Sequence, residues 1–201
     1  MIMETQLIRY VTKTSNLVYR VKKNTKWRGY FILAGDTSVD ITISCVLGEN
    51  ADASIHIVNV LSGSSKVSLK TLQHHTSRNA RSNVLVKTVL TDSVSFSYSG
   101  NIIVDKNTDK TDAYERNENL VLSENAKAIS HPTLEISSSD VRCTHGSTTG
   151  GIPFEELWYM KTRGLSHNKA QALYIRGFVR SGLMGLTREM SESIVSRIMG
   201  I

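Results

Sequence analysis

From residue 5 to about residue 150 the chain is written in short runs where apolar and polar side chains alternate, bounded by Gly, Asn, Asp and Ser. The clearest is Val39-Asp40-Ile41-Thr42-Ile43-Ser44-Cys45-Val46, and similar runs occupy 17–21, 30–33, 55–60, 67–70, 84–87, 94–98 and 102–104. A period of two puts one face of a strand in a core and the other in water. The chain has only two prolines, which suits paired strands because proline removes a ladder donor. Such spacing permits a sandwich, a barrel or a solenoid. Small polar residues such as Ser93, Ser95 and Ser97 suit strands stacked rung on rung.

The pattern changes at Gly150-Gly151-Ile152-Pro153. Pro153 fits the first turn of a helix, Glu155 and Glu156 favour its positive end, and Gly164 suits a stop after Arg163. Ser166 can cap a second helix, whose Ala170, Leu173, Tyr174 and Phe178 recur at helical spacing. Beyond Ser181-Gly182, a third helix is marked by Met190, Ile194, Val195 and Ile198. The expected organisation is a mainly β part, residues 1–152, followed by a helical segment, 153–201, too small to fold by itself.

Composition narrows the class. At 201 residues, 40 % hydrophobic and 21 % charged, the chain is an ordinary globular sequence with material for one large core. No segment approaches the roughly 20 apolar residues of a membrane span. Residues 1–12 lack the continuous apolar stretch of a secretory signal, so a cytoplasmic location is expected. Two distant cysteines, Cys45 and Cys143, cannot build a disulfide framework and suit a reducing compartment. The net charge of +6 arises before residue 31, where Arg9, Lys13, Arg20, Lys22, Lys23, Lys26 and Arg28 meet Glu4 alone. No helix-turn-helix, zinc-finger spacing or aromatic RNA-binding signature accompanies them. Nucleic acid is therefore not an expected partner, and the basic residues read as a solvated strand edge guarded against aggregation.

Candidate chemistry centres on Cys143-Thr144-His145-Gly146. On a strand, residues i and i+2 project from one face with Cα atoms roughly 7 Å apart, so a thiol and an imidazole there suit a shared metal or cluster. They suit a nucleophile and its base less well, because the pair runs in parallel without a third group to orient it. Cys45 reads as core. His74 and His75 cannot both face one side of a strand, and a solvated turn is expected there. His131, held extended by Pro132, has no support as a ligand. The chain has no phosphate-binding Gly-rich loop followed by Lys-Ser/Thr, no Gly-x-Ser-x-Gly elbow, no His-Glu-x-x-His helix and no repeated Cys-x-x-Cys. Neither ATP hydrolysis nor another catalytic activity is expected.

Several further segments carry a family resemblance. They include Leu72-Gln73-His74-His75, Ser82-Asn83-Val84-Leu85, Phe96-Ser97-Tyr98-Ser99-Gly100, Thr111-Asp112-Ala113-Tyr114-Glu115-Arg116-Asn117-Glu118-Asn119-Leu120 and His131-Pro132-Thr133-Leu134-Glu135-Ile136. Val141-Arg142-Cys143-Thr144-His145-Gly146 and Leu157-Trp158-Tyr159-Met160-Lys161-Thr162-Arg163-Gly164 complete the series. In order and spacing this resembles the C-terminal core of the SufB/SufD family, scaffold components of the SUF iron–sulfur cluster assembly machinery. SufB-type members carry a cysteine where Asn117 stands and a glutamate where Gly146 stands. The Cys-x-His-Gly form is similar to the SufD side. Family members are usually longer, with an N-terminal helical region that this sequence does not contain.

The resemblance implies a right-handed parallel β-helix with a small α-helical tail. It also implies a non-enzymatic scaffold holding a transient iron–sulfur cluster. Cys143 and His145 would be the metal ligands, with Glu115 and Glu118 as further candidates, since clusters take thiolates and sometimes histidine. The implied partners are a SufC-type ATPase and a second β-helix, as a homodimer or a heterodimer with a SufB-like chain. Apo iron–sulfur proteins would be the recipients, and neither membrane nor nucleic acid takes part. The tail would dock the ATPase through Leu157, Trp158, Tyr159, Arg163, Arg176 and Phe178. The alternative is a structural or regulatory β-helix that binds no cluster and supports a SufB-like scaffold.

Overall fold

The computed structural model describes residues 3–200. Among the described residues eleven strands precede three helices: β1 (Met3–Tyr10), β2 (Ser15–Val21), β3 (Thr25–Gly35), β4 (Val39–Leu47), β5 (Asp52–Leu61), β6 (Lys66–His75), β7 (Arg81–Leu90), β8 (Ser95–Val104), β9 (Thr111–Val121), β10 (Lys127–Ile136), β11 (Val141–Gly150), α1 (Phe154–Thr162), α2 (His167–Ser181) and α3 (Arg188–Met199). Odd strands form one sheet in the order β1-β3-β5-β7-β9-β11, and even strands form the other, β2-β4-β6-β8-β10. All pairings are parallel, each strand bonding to the one two places along. The chain thus winds as a two-sheet β-helix of about five turns. Asparagines shape the corners: Asn24, Asn50, Asn79 and Asn107 all take positive φ, which Asn tolerates better than most residues. Three of them stack, Asn50 Nδ2 donating to Asn24 Oδ1 at 2.8 Å and Asn79 Nδ2 to Asn50 Oδ1 at 3.1 Å.

Alternation along each strand sorts side chains into an interior and two outer faces. Phe31, Ile43, Cys45, Ile55, Ile57, Leu69 and Val84 fill the interior of the earlier rungs. A second apolar cluster lies outside the six-stranded sheet, where Tyr30, Ile32, Val58, Val89 and Leu120 pack beneath Val179, Leu183, Ile194 and Val195. Helices α2 and α3 therefore share a core with the strands and roof that sheet. Gly182 allows the closest approach, since a Cβ there would stand 2.7 Å from the Val58 side chain. The Tyr30 hydroxyl donates to the Met184 carbonyl at 2.9 Å, and His56, stacked on Tyr30 at 4.8 Å, contacts the Gly182 carbonyl at 3.1 Å. Ser166 caps α2 as expected, accepting from the Lys169 N–H.

Three local expectations are corrected. The runs at 94–98 and 102–104 merge, apart from Val94, into one strand, β8, which passes through Gly100 without a break. His74 and His75 end β6 instead of forming a solvated turn. His75 is fully buried inside, while His74 lies outside with Nε2 3.0 Å from Asp105 Oδ1. Pro153 takes the N-cap position of α1, one residue before its first turn.

Candidate functional site

Strand β11 closes the β-helix, and among the described residues no strand pairs with its far edge. Its register on β9 sets Cys143 beside Ala113, His145 beside Glu115, Ser147 beside Asn117 and Thr149 beside Asn119. Cys143 packs among Ile102, Val104, Ala113, Leu134 and Val141 and is half-buried. Alternation therefore turns His145, Ser147 and Thr149 to the same inward face. With no further rung above, this face opens to solvent, and every residue from Thr144 to Gly150 is exposed. A thiol and an imidazole thus line the open mouth of the solenoid.

Glu115 lies one strand below His145 and is 2 % exposed. Its carboxyl reaches across the interior toward Gly100, where a Cβ would stand 1.8 Å from Oε1. Gly100 is thus required for close approach, which explains the glycine inside β8. The Gln73 amide donates to Glu115 Oε2 at 3.4 Å, and Tyr98, hydrogen-bonded to Glu115, holds its hydroxyl 2.7 Å from Thr71 Oγ1. From Gln73 the chain of bonds runs on, Ser82 Oγ donating to Gln73 Oε1 at 2.6 Å and lying 2.8 Å from His75 Nε2. Burial pushes the Glu115 carboxyl up to about 7, with the Tyr98 and Gln73 hydrogen bonds opposing. Burial likewise brings His75 down to about 4. At the mouth, Asn117 Nδ2 donates to Ser130 Oγ at 2.6 Å and Asn119 Nδ2 to Thr149 Oγ1 at 3.0 Å. Among the described residues the buried His75 Nδ1, Asn117 Oδ1 and Asn119 Oδ1 have no protein partner.

The Cys143 thiol is pushed up by burial and by the nearby Asp112 carboxylate, against a hydrogen bond from the Ala113 N–H. A metal binding there must displace a proton. Cys45 is fully buried, its thiol pushed up to about 12, which suits core packing.

The other expected site residues divide. Glu118 points to the opposite face of β9 from Glu115, pairing with Lys87 at 2.6 Å and with Arg116 beneath α2. Lys87 also sits 4.4 Å from the Phe178 ring centre. On α1 no residue is buried. Trp158 and Tyr159 are more than half exposed, as is the unexpected Phe154, Leu157 is partly covered, and Arg163 lies over Tyr159. Arg176 instead pairs with Glu192 of α3, so Arg176 and Phe178 knit helices and sheet together. The structure thus sets Cys143, His145 and Glu115 on the inward face near one end of the β-helix, with His145 beside Glu115 in register, and leaves Glu118 on the outside. Among the described residues no three His, Cys, Asp or Glu side chains gather as a metal site.

Sequence reasoning missed Gly100, Gln73, Tyr98, Ser82 and Lys87. One signal was available, because in Leu69-Lys70-Thr71-Leu72-Gln73 the inward positions turn polar while Leu72 turns outward.

A family model described as SUF system FeS cluster assembly, SufBD core domain, matches residues 5–178. The chain belongs to the SufBD family. It is 29 % identical over 169 residues to the iron-sulfur cluster assembly protein SufD of Escherichia coli, covering 84 % of this chain and 40 % of that protein. A SufBD family protein of Mycobacterium leprae is 36 % identical over 115 residues, 53 % of this chain and 29 % of the relative. The SufD protein of Plasmodium falciparum is 23 % identical over 167 residues, 83 % of this chain and 11 % of the relative. The chain spans about 40 % of the length of the Escherichia coli protein.

Proposed function

We propose that this chain is a non-catalytic scaffold component of SUF-type iron–sulfur cluster assembly. Iron or a nascent cluster is its cargo, held at the mouth of the β-helix by Cys143 and His145. The observation that carries this reading is the placement of the two side chains on one inward face of an unpaired terminal strand. A mixed thiolate–imidazole pair holds iron more loosely than four thiolates, which suits cargo that must leave again. Two ligands are too few for a cluster, so the reading includes a second chain across the β11 edge, bringing its own ligands by two-fold symmetry or from a SufB-like partner. The exposed aromatic residues of α1, with Arg163, would dock a SufC-type ATPase, aromatic and Arg side chains being the types that concentrate interface energy. Loaded cluster would pass to apo iron–sulfur proteins.

Anaerobic reconstitution with iron and sulfide tests the cargo site. Visible absorption that survives desalting in wild type and disappears in Cys143→Ser and His145→Ala is expected. Equal absorption in all three removes these residues from the site. Trp158→Ala/Tyr159→Ala should weaken binding of a purified SufC-type ATPase at least tenfold by calorimetry, and unchanged affinity would sink the docking assignment. A second reading has the same small ligand set in its favour. In it the chain binds no cluster and supports a partner that supplies the acceptor thiol, and wild-type protein alone would stay colourless.

A further inference from the structure

Two buried amides lie one strand below β11 and face the mouth: Asn117 and Asn119, 1 % and 4 % exposed. Asn117 Nδ2 donates to Ser130 Oγ at 2.6 Å and to Ser147 Oγ at 3.4 Å. Asn119 Nδ2 donates to Thr149 Oγ1 at 3.0 Å and to Ser130 Oγ at 3.4 Å. Both amide oxygens stay buried with no protein partner among the described residues. A side-chain amide carries two N–H hydrogens and one oxygen. Turned over, each amide would leave two N–H groups unpaired in place of one oxygen, so the hydrogen-bond arithmetic keeps both nitrogens toward the hydroxyls. A buried acceptor without a partner destabilises the fold, and two in one place call for an explanation.

The consequence falls on the hydroxyls. Ser130, Ser147 and Thr149 each accept from an amide, and among the described residues none of them donates to a protein group. Each keeps its one O–H hydrogen. Ser147 and Thr149 are exposed and Ser130 is half-buried. The other inward residues of β10 are Ala128, Pro132 and Leu134, and β11 carries no acid at all. Three O–H donors therefore open on the mouth with no carboxylate there to take them or to repel an anion. Ser147 follows His145 on the same face, about 7 Å along the strand.

We propose that Ser130, Ser147 and Thr149 form a donor rim for sulfide, the anionic companion of iron at Cys143 and His145. The choice of anion rests on the cargo reading above. Sulfide could reach the rim as the hydrosulfide ion or as the exposed edge of a cluster, and hydrogen bonds to cluster sulfur shift its reduction potential. The test uses the full chain under anaerobic conditions in two measurements. In the first, sodium hydrosulfide is titrated into iron-free protein by calorimetry. Ser147→Ala/Thr149→Val should bind it roughly tenfold more weakly than wild type, and Ser147→Thr/Thr149→Ser, which keeps both hydroxyls, should restore affinity. In the second, protein reconstituted with iron and sulfide should show a lower potential in the Ala/Val pair, with the Thr/Ser pair near wild type. Weakened hydrosulfide binding assigns the rim to the ion, and a lowered potential alone assigns it to the cluster edge. Hydrosulfide bound at the rim by a chain that retains no iron would sink the cargo reading and leave the rim standing. Hydrosulfide affinity and potential both unmoved by Ser147→Ala/Thr149→Val, or wild type that binds neither ion nor cluster, overturns the proposal.

Discussion

The two ends of this solenoid share one backbone plan and fill it with opposite chemistry. In the earlier rungs Phe31, Ile43, Ile57 and Leu69 meet across a dry interior, with Tyr19 tilted against Phe31 at 5.7 Å. In the later rungs several inward positions carry Tyr98, Glu115, Asn117 and Asn119, and Gln73 near the end of β6 reaches up to Glu115, so that polar side chains join one another there. Parallel stacking explains how both are tolerated, since backbone hydrogen bonds satisfy each rung whatever fills it. The fillings are not equivalent in energy. Apolar burial stabilises without regard to direction, whereas each buried polar group must find a partner or destabilise the fold. Stability is therefore concentrated in the earlier rungs, and the mouth keeps a hydrogen-bonded floor for the groups above it.

The largest test of that division compares truncations at either end. Phe31→Ala should lower stability by about 3–5 kcal/mol, because a 1 % exposed aromatic leaves a cavity that the stacked rungs cannot close. Asn119→Ala, at the polar end, should cost only about 1 kcal/mol through its lost bond to Thr149. Urea denaturation measures both. Equal losses would mean that the polar rungs contribute as much cohesion as the apolar ones.

The sequence made the first region readable and left most of the second obscure. Strands β4 and β6 announce themselves by alternation, because one face is apolar and the other wet, while β5 and β7 read as near-continuous apolar runs because helices cover their outer face. In β9 the interior is polar, so Thr111–Val121 reads inward and outward alike and only the family resemblance marked it. Cys143 and His145 were legible because a strand's period fixes their common face. Glu118 was misplaced among them for the same kind of reason: it is three residues from Glu115, and an odd separation on a strand means opposite faces. Gly100 was unreadable from its own run. Its purpose lies in Glu115, which reaches it from the opposite sheet.

That reach predicts the second effect. Gly100→Ala forces a methyl group into the space held by the Glu115 carboxyl, and should destabilise by about 2–3 kcal/mol. Glu115→Ala in the same chain removes the obstruction, so the double variant should be more stable than the sum of the two single losses. Strict additivity in thermal or urea unfolding would show that Glu115 moves aside freely and that the floor is soft.

The smallest effect is a change in the shape of the pH–stability curve, where two buried groups pull in opposite directions. Glu115 has a folded value of about 7 against an ordinary 4.5. Its favourable share is complete below 4.5 and is lost as pH rises through 7. His75 falls to about 4 from 6.5, chiefly by burial, so its share is complete above 6.5 and is lost as pH falls toward 4. His56, buried under the α2 terminus and also lowered, adds to the acid loss. Wild type should therefore lose stability on both sides of a maximum in the mildly acidic range. Glu115→Gln keeps the shape of the side chain and removes the charge, so only the acid loss should remain. At pH 8 that variant should exceed wild type by about 2 kcal/mol, while at pH 4.5 the difference should be small. A Glu115→Gln curve that still declines between pH 6 and pH 8 would mean that another group, and not the carboxyl of the polar floor, sets the alkaline limit.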